Sequence, residues 1–167
     1  MIPKKVFFTR GIGKHKGHLQ SFEIALRDAG IEKYNIVNVS SILPPNCRII
    51  TMREGLSKLK PGQIIFCVMA RNSTNEYGKY ITSAIGLAMY ENRNTYGYLS
   101  EYTGCEDSEN EKKAKDIAED LAEQMLTRTL MHERKDRIIK KSIAQCAIND
   151  TDGGWTTVIA AAVFLLD

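Results

Sequence analysis

Apolar residues recur along this 167-residue chain in two rhythms. The first is helical. Phe22, Ala25, Leu26 and Ala29 fall at i, i+3, i+4 and i+7, which predicts a helix over Ser21–Ala29 stopped by Gly30. Ala114, Ile117, Ala118, Leu121, Ala122, Met125, Leu126 and Leu130 mark one broad stripe, predicting a longer helix from about Glu109 to Glu133. The second rhythm is that of strands. Lys4–Phe8, Asn35–Ser40, Arg48–Met52, Gln63–Ala70, Tyr80–Met89 and Tyr96–Tyr102 read as strands, and Gln63–Ala70 is apolar enough to be buried on both faces. Arg137–Ala147 and Thr156–Leu166 read as a closing strand pair joined at Asp152-Gly153-Gly154. Gly11–His18 and Arg71–Tyr77 read as loops. Pro44-Pro45 forces an extended or turning path after the second strand. The fold class is α+β, an α/β sandwich in one domain spanning 1–167.

Composition changes this picture little. An apolar fraction of 43% and a charged fraction of 26% exclude collagen-like, coiled-coil and disordered chains. The longest apolar run, Val158–Leu166, is about half of what a membrane span requires, so no membrane partner is expected. Net charge is +3, from 23 basic and 20 acidic residues, too balanced to argue for nucleic acid. Cys47, Cys67, Cys105 and Cys146 form no CxxC pair, and without an export signal they suit reduced thiols in a cytoplasmic protein.

Candidate chemistry is sparse. Gly11–His18 approaches a phosphate-binding glycine pattern, but GxGxxxG lacks the right spacing and no GK[ST] follows. His15-x2-His18 offers two metal ligands without a third, so no metal is expected. No GxSxG or HExxH occurs. His132 closes a charged helix and suits its C-terminal dipole. The peculiar feature is Ser40-Ser41 at the exit of a strand, before an apolar pair and two prolines. Taken alone, such a pair reads as a turn whose hydroxyls satisfy the backbone.

Tyr34-Asn35-Ile36-Val37-Asn38-Val39-Ser40-Ser41-Ile42-Leu43-Pro44-Pro45 resembles the self-cleavage segment of pyruvoyl-dependent arginine decarboxylases. Ser21–Gly30, Gly97-Tyr98-Leu99-Ser100-Glu101-Tyr102-Thr103-Gly104 and Trp155–Ala162 agree with that family in the same order. The resemblance implies a four-layer αββα arrangement. It implies autocatalytic serinolysis between Ser40 and Ser41, giving a β chain 1–40 and an α chain 41–167 that begins with a pyruvoyl group from Ser41. That covalent group would replace pyridoxal phosphate, holding L-arginine as a Schiff base while CO2 leaves and agmatine forms. Ser41 and Glu101 are the implied catalytic positions, with Glu101 as proton donor. Glu23, Leu26, Ser40 and Ile42 are the implied substrate-binding set, and Asn35 is associated with processing. Glu23 stands where the family usually has an aspartate, which opens the choice of basic substrate. Asn35 and Ser41 share a strand face but would be roughly 20 Å apart on a straight strand, so contact requires a bend or a neighbouring subunit. A homotrimer or hexamer with sites between subunits is implied. Open beside this reading are a histidine-specific pyruvoyl decarboxylase and a homologue that keeps the fold without processing. An aspartate substrate would demand a cationic pocket.

Overall fold

The computed structural model describes residues 1–106, 109–129 and 136–166. Five strands form one sheet: β1 (Lys5–His15), β2 (Asn35–Asn38), β4 (Arg48–Ile49), β5 (Ile64–Thr74) and β9 (Trp155–Leu165), in the order β2-β5-β9-β1-β4. Four form a second: β3 (Ile42–Leu43), β6 (Tyr80–Tyr90), β7 (Gly97–Glu106) and β8 (Ile138–Ile148), in the order β3-β7-β6-β8. Helices α1 (His18–Asp28) and α2 (Met52–Leu56) cover the first sheet, and α3 (Glu111–Thr129) covers the second.

The burial pattern explains the layering. Val6, Val68, Ala160 and Phe164 face Ile85, Leu87 and Leu99 between the sheets. The alternate residues Phe7, Cys67, Ile159 and Ala161 pack outward on Ala25 and Ala29 of α1. A strand covered on both faces must be apolar throughout, as β9 is. On the far side Ala114, Ala118, Ala122 and Leu126 seat α3 on the second sheet. The result is the four-layer αββα sandwich of an α+β protein.

Four local expectations are corrected. The first strand does not end at Phe8. It runs through the Gly11–His15 segment, whose register on β9 includes Gly11↔Ile159 and Gly13↔Thr157. A Cβ on Gly13 would lie 1.9 Å from the Ser21 carbonyl oxygen, and one on Gly11 2.1 Å from that of Ala25. The glycines let α1 lie on the strand. Their amides belong to a strand and form no phosphate-cradling loop. Likewise β5 continues through Arg71–Thr74, because β9 pairs with it as far as Thr74↔Thr156. The closing strands do not pair with each other: β8 joins β6, while β9 inserts between β5 and β1 in the other sheet. Asn149 turns the chain between the sheets, accepting from the Thr156 hydroxyl at 2.9 Å and donating to the Glu76 and Gly154 carbonyls.

Arg48–Met52 divides into β4 and the start of α2, which Thr51 caps by accepting the Glu54 N–H. The long helix is described to Thr129, so the expectations for Leu130, His132 and a helix end at Glu133 lie outside the described residues. No described helix is long and apolar enough to cross a membrane.

Candidate active site

β2 belongs to one sheet and β3 to the other, so the chain between them crosses the sandwich. Ser40 and Ser41 are that crossing. On the upstream side the Val39 N–H donates to the Cys67 carbonyl at 2.9 Å. Downstream, the Leu99 N–H donates to the Ser41 carbonyl at 2.7 Å, and Ile42 pairs with Tyr98. Between these anchors the Ile42 N–H donates to the Ser40 carbonyl at 3.0 Å, closing a tight three-residue turn centred on Ser41. That donor is aimed at the oxygen on which negative charge collects if the Ser40 carbonyl is attacked.

Ser41 lines a cleft of about 340 Å³ with Ser100 and Glu101 of β7 and Leu121, Gln124, Met125 and Arg128 of α3. Glu101 is exposed overall, and the partial burial of its carboxyl in this cleft raises its pKa from the ordinary glutamate value. Its field reaches inward as well. Cys67 is pushed up to about 12, by burial first and then by Glu101. The cleft therefore holds a hydroxyl, a carboxyl shifted toward its neutral form, and a guanidinium.

The other residues singled out by sequence lie elsewhere in the same chain. Leu26 and Asn35 line a second cleft of about 390 Å³, between α1, β2 and β5, with Phe22, Asn38, Met69 and Arg71. Asn35 donates to the Gly62 carbonyl at 2.8 Å and does not reach Ser41 within one chain. Ser40 and Ile42 border a third, apolar cleft with Met1, Ile2, Phe66 and Phe164. Glu23 stands half-exposed on α1 and is hydrogen-bonded by Arg27 one turn on. The structure thus joins Ser41 with Glu101, joins Leu26 with Asn35, and leaves Glu23 on its own helix face.

Residues 5–167 match the family model described as pyruvoyl-dependent arginine decarboxylase. This chain belongs to that family. Among curated relatives, pyruvoyl-dependent arginine decarboxylase 2 of Methanosarcina acetivorans is 51% identical, with 99% of this chain and 98% of the relative covered. The pyruvoyl-dependent arginine decarboxylase of Methanococcoides burtonii is 48% identical over 99% of this chain and 100% of its own length. That of Methanocella arvoryzae is 50% identical, covering 99% and 98%. The chain is accordingly a carbon–carbon lyase, a decarboxylase of the pyruvoyl-dependent family.

Three features of these clefts stand outside the expectations drawn from the sequence. The Ile42 amide is a backbone donor and carries no side-chain signal. Gln124 and Arg128 have one: with Leu121 and Met125 they fall at i, i+3, i+4 and i+7, a helical face beside the buried alanine stripe. Arg71 falls in Arg71–Tyr77, whose polar residues predict a loop, and lies on β5. The two candidate metal ligands have other roles. His15 Nδ1 accepts the Gly17 N–H at 2.9 Å, and His18 stacks on Trp155 with ring centroids 4.1 Å apart.

Proposed function

We propose that this protein decarboxylates L-arginine to agmatine and CO2, using a pyruvoyl group that it makes from its own Ser41. The reading is supported by the cleft shared by Ser41 and Glu101 in a chain of this family. The relatives' names supply the substrate.

Processing begins with Ser41 Oγ attacking the Ser40 carbonyl carbon. The Ile42 N–H, already on that oxygen, holds the charge as it forms. The peptide C–N bond breaks, the nitrogen of residue 41 takes up a proton, and an ester links the two residues. Loss of the residue 41 α-proton then breaks the Cβ–Oγ bond. Residues 1–40 leave with a carboxylate on Ser40, and dehydroalanine remains at position 41. Water converts that end to a pyruvoyl group and releases ammonia. The Val39–Cys67 and Leu99–residue 41 hydrogen bonds keep each side of the cut attached to its own sheet.

The pyruvoyl carbonyl supplies the electron sink into which the bond to the departing carboxylate can empty. The side chains do the rest. Glu101, kept toward its neutral form by burial, delivers the proton that the α-carbon needs after CO2 leaves. Glu23, hydrogen-bonded by Arg27 in the free chain, exchanges that partner for the substrate guanidinium through charge-assisted hydrogen bonds. Leu26 and Ile42 line the aliphatic part of the substrate, Ser40 meets its polar end, and Asn35 assists processing. Since Glu23, Leu26 and Asn35 lie apart from Ser41 in one chain, the complete site forms between subunits of a homotrimer or hexamer.

The test is direct. Purified protein incubated with L-arginine should release agmatine and CO2 in equal amounts, and Ser41→Ala should release neither. Turnover by Ser41→Ala at the wild-type rate would refute a pyruvoyl group at residue 41, and turnover of histidine in preference to arginine would refute the substrate.

A further inference from the structure

β2 and β5 run parallel, from Asn35↔Ile64 to Asn38↔Cys67. β2 then stops, while β5 continues to Thr74 with β9 along its other side. From Met69 onward the β2-side edge of β5 has no strand partner among the described residues. Cys67 grips the last residues of β2 twice: its carbonyl accepts from Val39 N–H, and its thiol donates to Asn38 Oδ1 at 3.4 Å.

Arg71 lies two positions beyond Met69 on the same face. Its guanidinium carbon is 3.6 Å from the Phe22 ring centroid. It has no carboxylate partner among the described residues, and burial pulls its pKa down. Asn38 borders the same cleft. A partly desolvated cation facing an open cleft is a receptor for an anion.

We propose that, once the Ser40–Ser41 bond is cut, Val39 and Ser40 extend β2 along the free edge of β5 and the new Ser40 carboxylate docks on Arg71. The inference rests on the self-cleavage proposed above.

In the uncut chain those residues cannot do this. Ser41 is tied to β7 in the other sheet, and Ser40 is drawn with it toward an apolar cleft. Cleavage removes the tether and replaces a neutral amide by a carboxylate, for which the side chains of Ile2, Phe66 and Phe164 offer no partner. Continuing the register puts Ser40 opposite Met69. At a rise of about 3.3 Å per residue and a strand spacing of about 4.8 Å, its carboxylate then falls roughly 7 Å from the Arg71 Cα, a span that an arginine side chain covers. Met69 N–H, on the same strand side as the Cys67 carbonyl, would donate to the Val39 carbonyl and add a rung to the ladder.

Two measurements test this on the full-length protein. Intact mass first establishes that wild type is cut; an uncut wild type overturns the self-cleavage reading and this inference together. In cut protein, hydrogen exchange at the Met69 amide should be slow, and in uncut Ser41→Ala it should be fast. Arg71→Met should lower the melting temperature of the cut protein by about 2–4 °C and leave that of the Ser41→Ala protein unmoved. Arg71→Lys should restore part of the loss. Cutting with equal Met69 exchange in both proteins, or an equal loss of stability in both backgrounds, would overturn the docking while leaving cleavage intact. Should Arg71→Met fail to fold, exchange in the wild type and the Arg71→Lys shift decide the matter.

Discussion

At the scale of single residues, the proposed chemistry turns on the ionisation of one acid. Glu101 has its pKa raised by desolvation. Its folded-state pKa therefore lies above its unfolded value, and the folded protein holds this proton more tightly. The sign follows: stability is lost as pH rises through the window between the two values. Glu101→Gln removes a carboxylate that the cleft disfavours, so at neutral pH its melting temperature should equal or exceed that of wild type. The advantage should vanish below the unfolded glutamate pKa of about 4.3. The same substitution should leave self-cleavage intact and reduce kcat by about 10²–10⁴-fold, the usual worth of a positioned proton donor. A melting curve at two pH values and a steady-state assay check both effects; unchanged kcat would remove Glu101 from the proton-donor role. Glu23 carries a different kind of prediction. Glu23→Gln keeps the shape but loses the charge facing a guanidinium, so KM for arginine should rise by roughly 10–100-fold, with kcat changed far less. A fall confined to kcat would place Glu23 outside the substrate-binding set.

At the scale of elements, close approach of α1 to β1 positions the helix that carries Glu23 and Leu26. Gly13 allows it, because any Cβ there would collide with the Ser21 carbonyl. Gly13→Ala should therefore destabilise the fold by about 1–3 kcal/mol, measured as a lowered melting temperature. A neutral result would mean that the helix can shift outward at little cost. This glycine also shows where the sequence stops being legible. A glycine signals a turn when only its neighbours in sequence are considered, whereas Gly11 and Gly13 are required by a helix that begins later in the chain. The α1 stripe and the apolar run of β9 were legible because their periodicity is local. The membership of β8 and β9 in different sheets was not, since both have ordinary strand patterns and only pairing partners distinguish them. Ser41 and Glu101 were recognisable through the resemblance alone; nothing in their 60-residue separation shows that β3 lies beside β7.

At the scale of the molecule, the distribution of site residues over separate clefts bears on assembly. Ser41 and Glu101 occupy one cleft, Leu26 and Asn35 another, and Glu23 the adjacent face of α1. A site completed by a neighbouring subunit predicts complementation. Glu23→Gln and Glu101→Gln chains, each nearly inactive alone at arginine concentrations near the wild-type KM or below, should recover about a quarter of wild-type sites when assembled at random in equal amounts. Activity no greater than the sum of the two separate proteins would confine the site to one chain. The αββα sandwich suits this arrangement, since both faces of its first sheet are already covered and the crossing at Ser40–Ser41 reaches the edge of β7.

The central claim is that the crossing between the two sheets is a self-cleavage site. Intact mass under denaturing conditions tests it most directly, on wild type and Ser41→Ala incubated side by side. The account predicts two wild-type species, residues 1–40 and residues 41–167. The larger should begin with a pyruvoyl group that reacts with a carbonyl reagent, and Ser41→Ala should remain one chain of 167 residues. A single wild-type species of full length, or a cut that persists in Ser41→Ala, would contradict it.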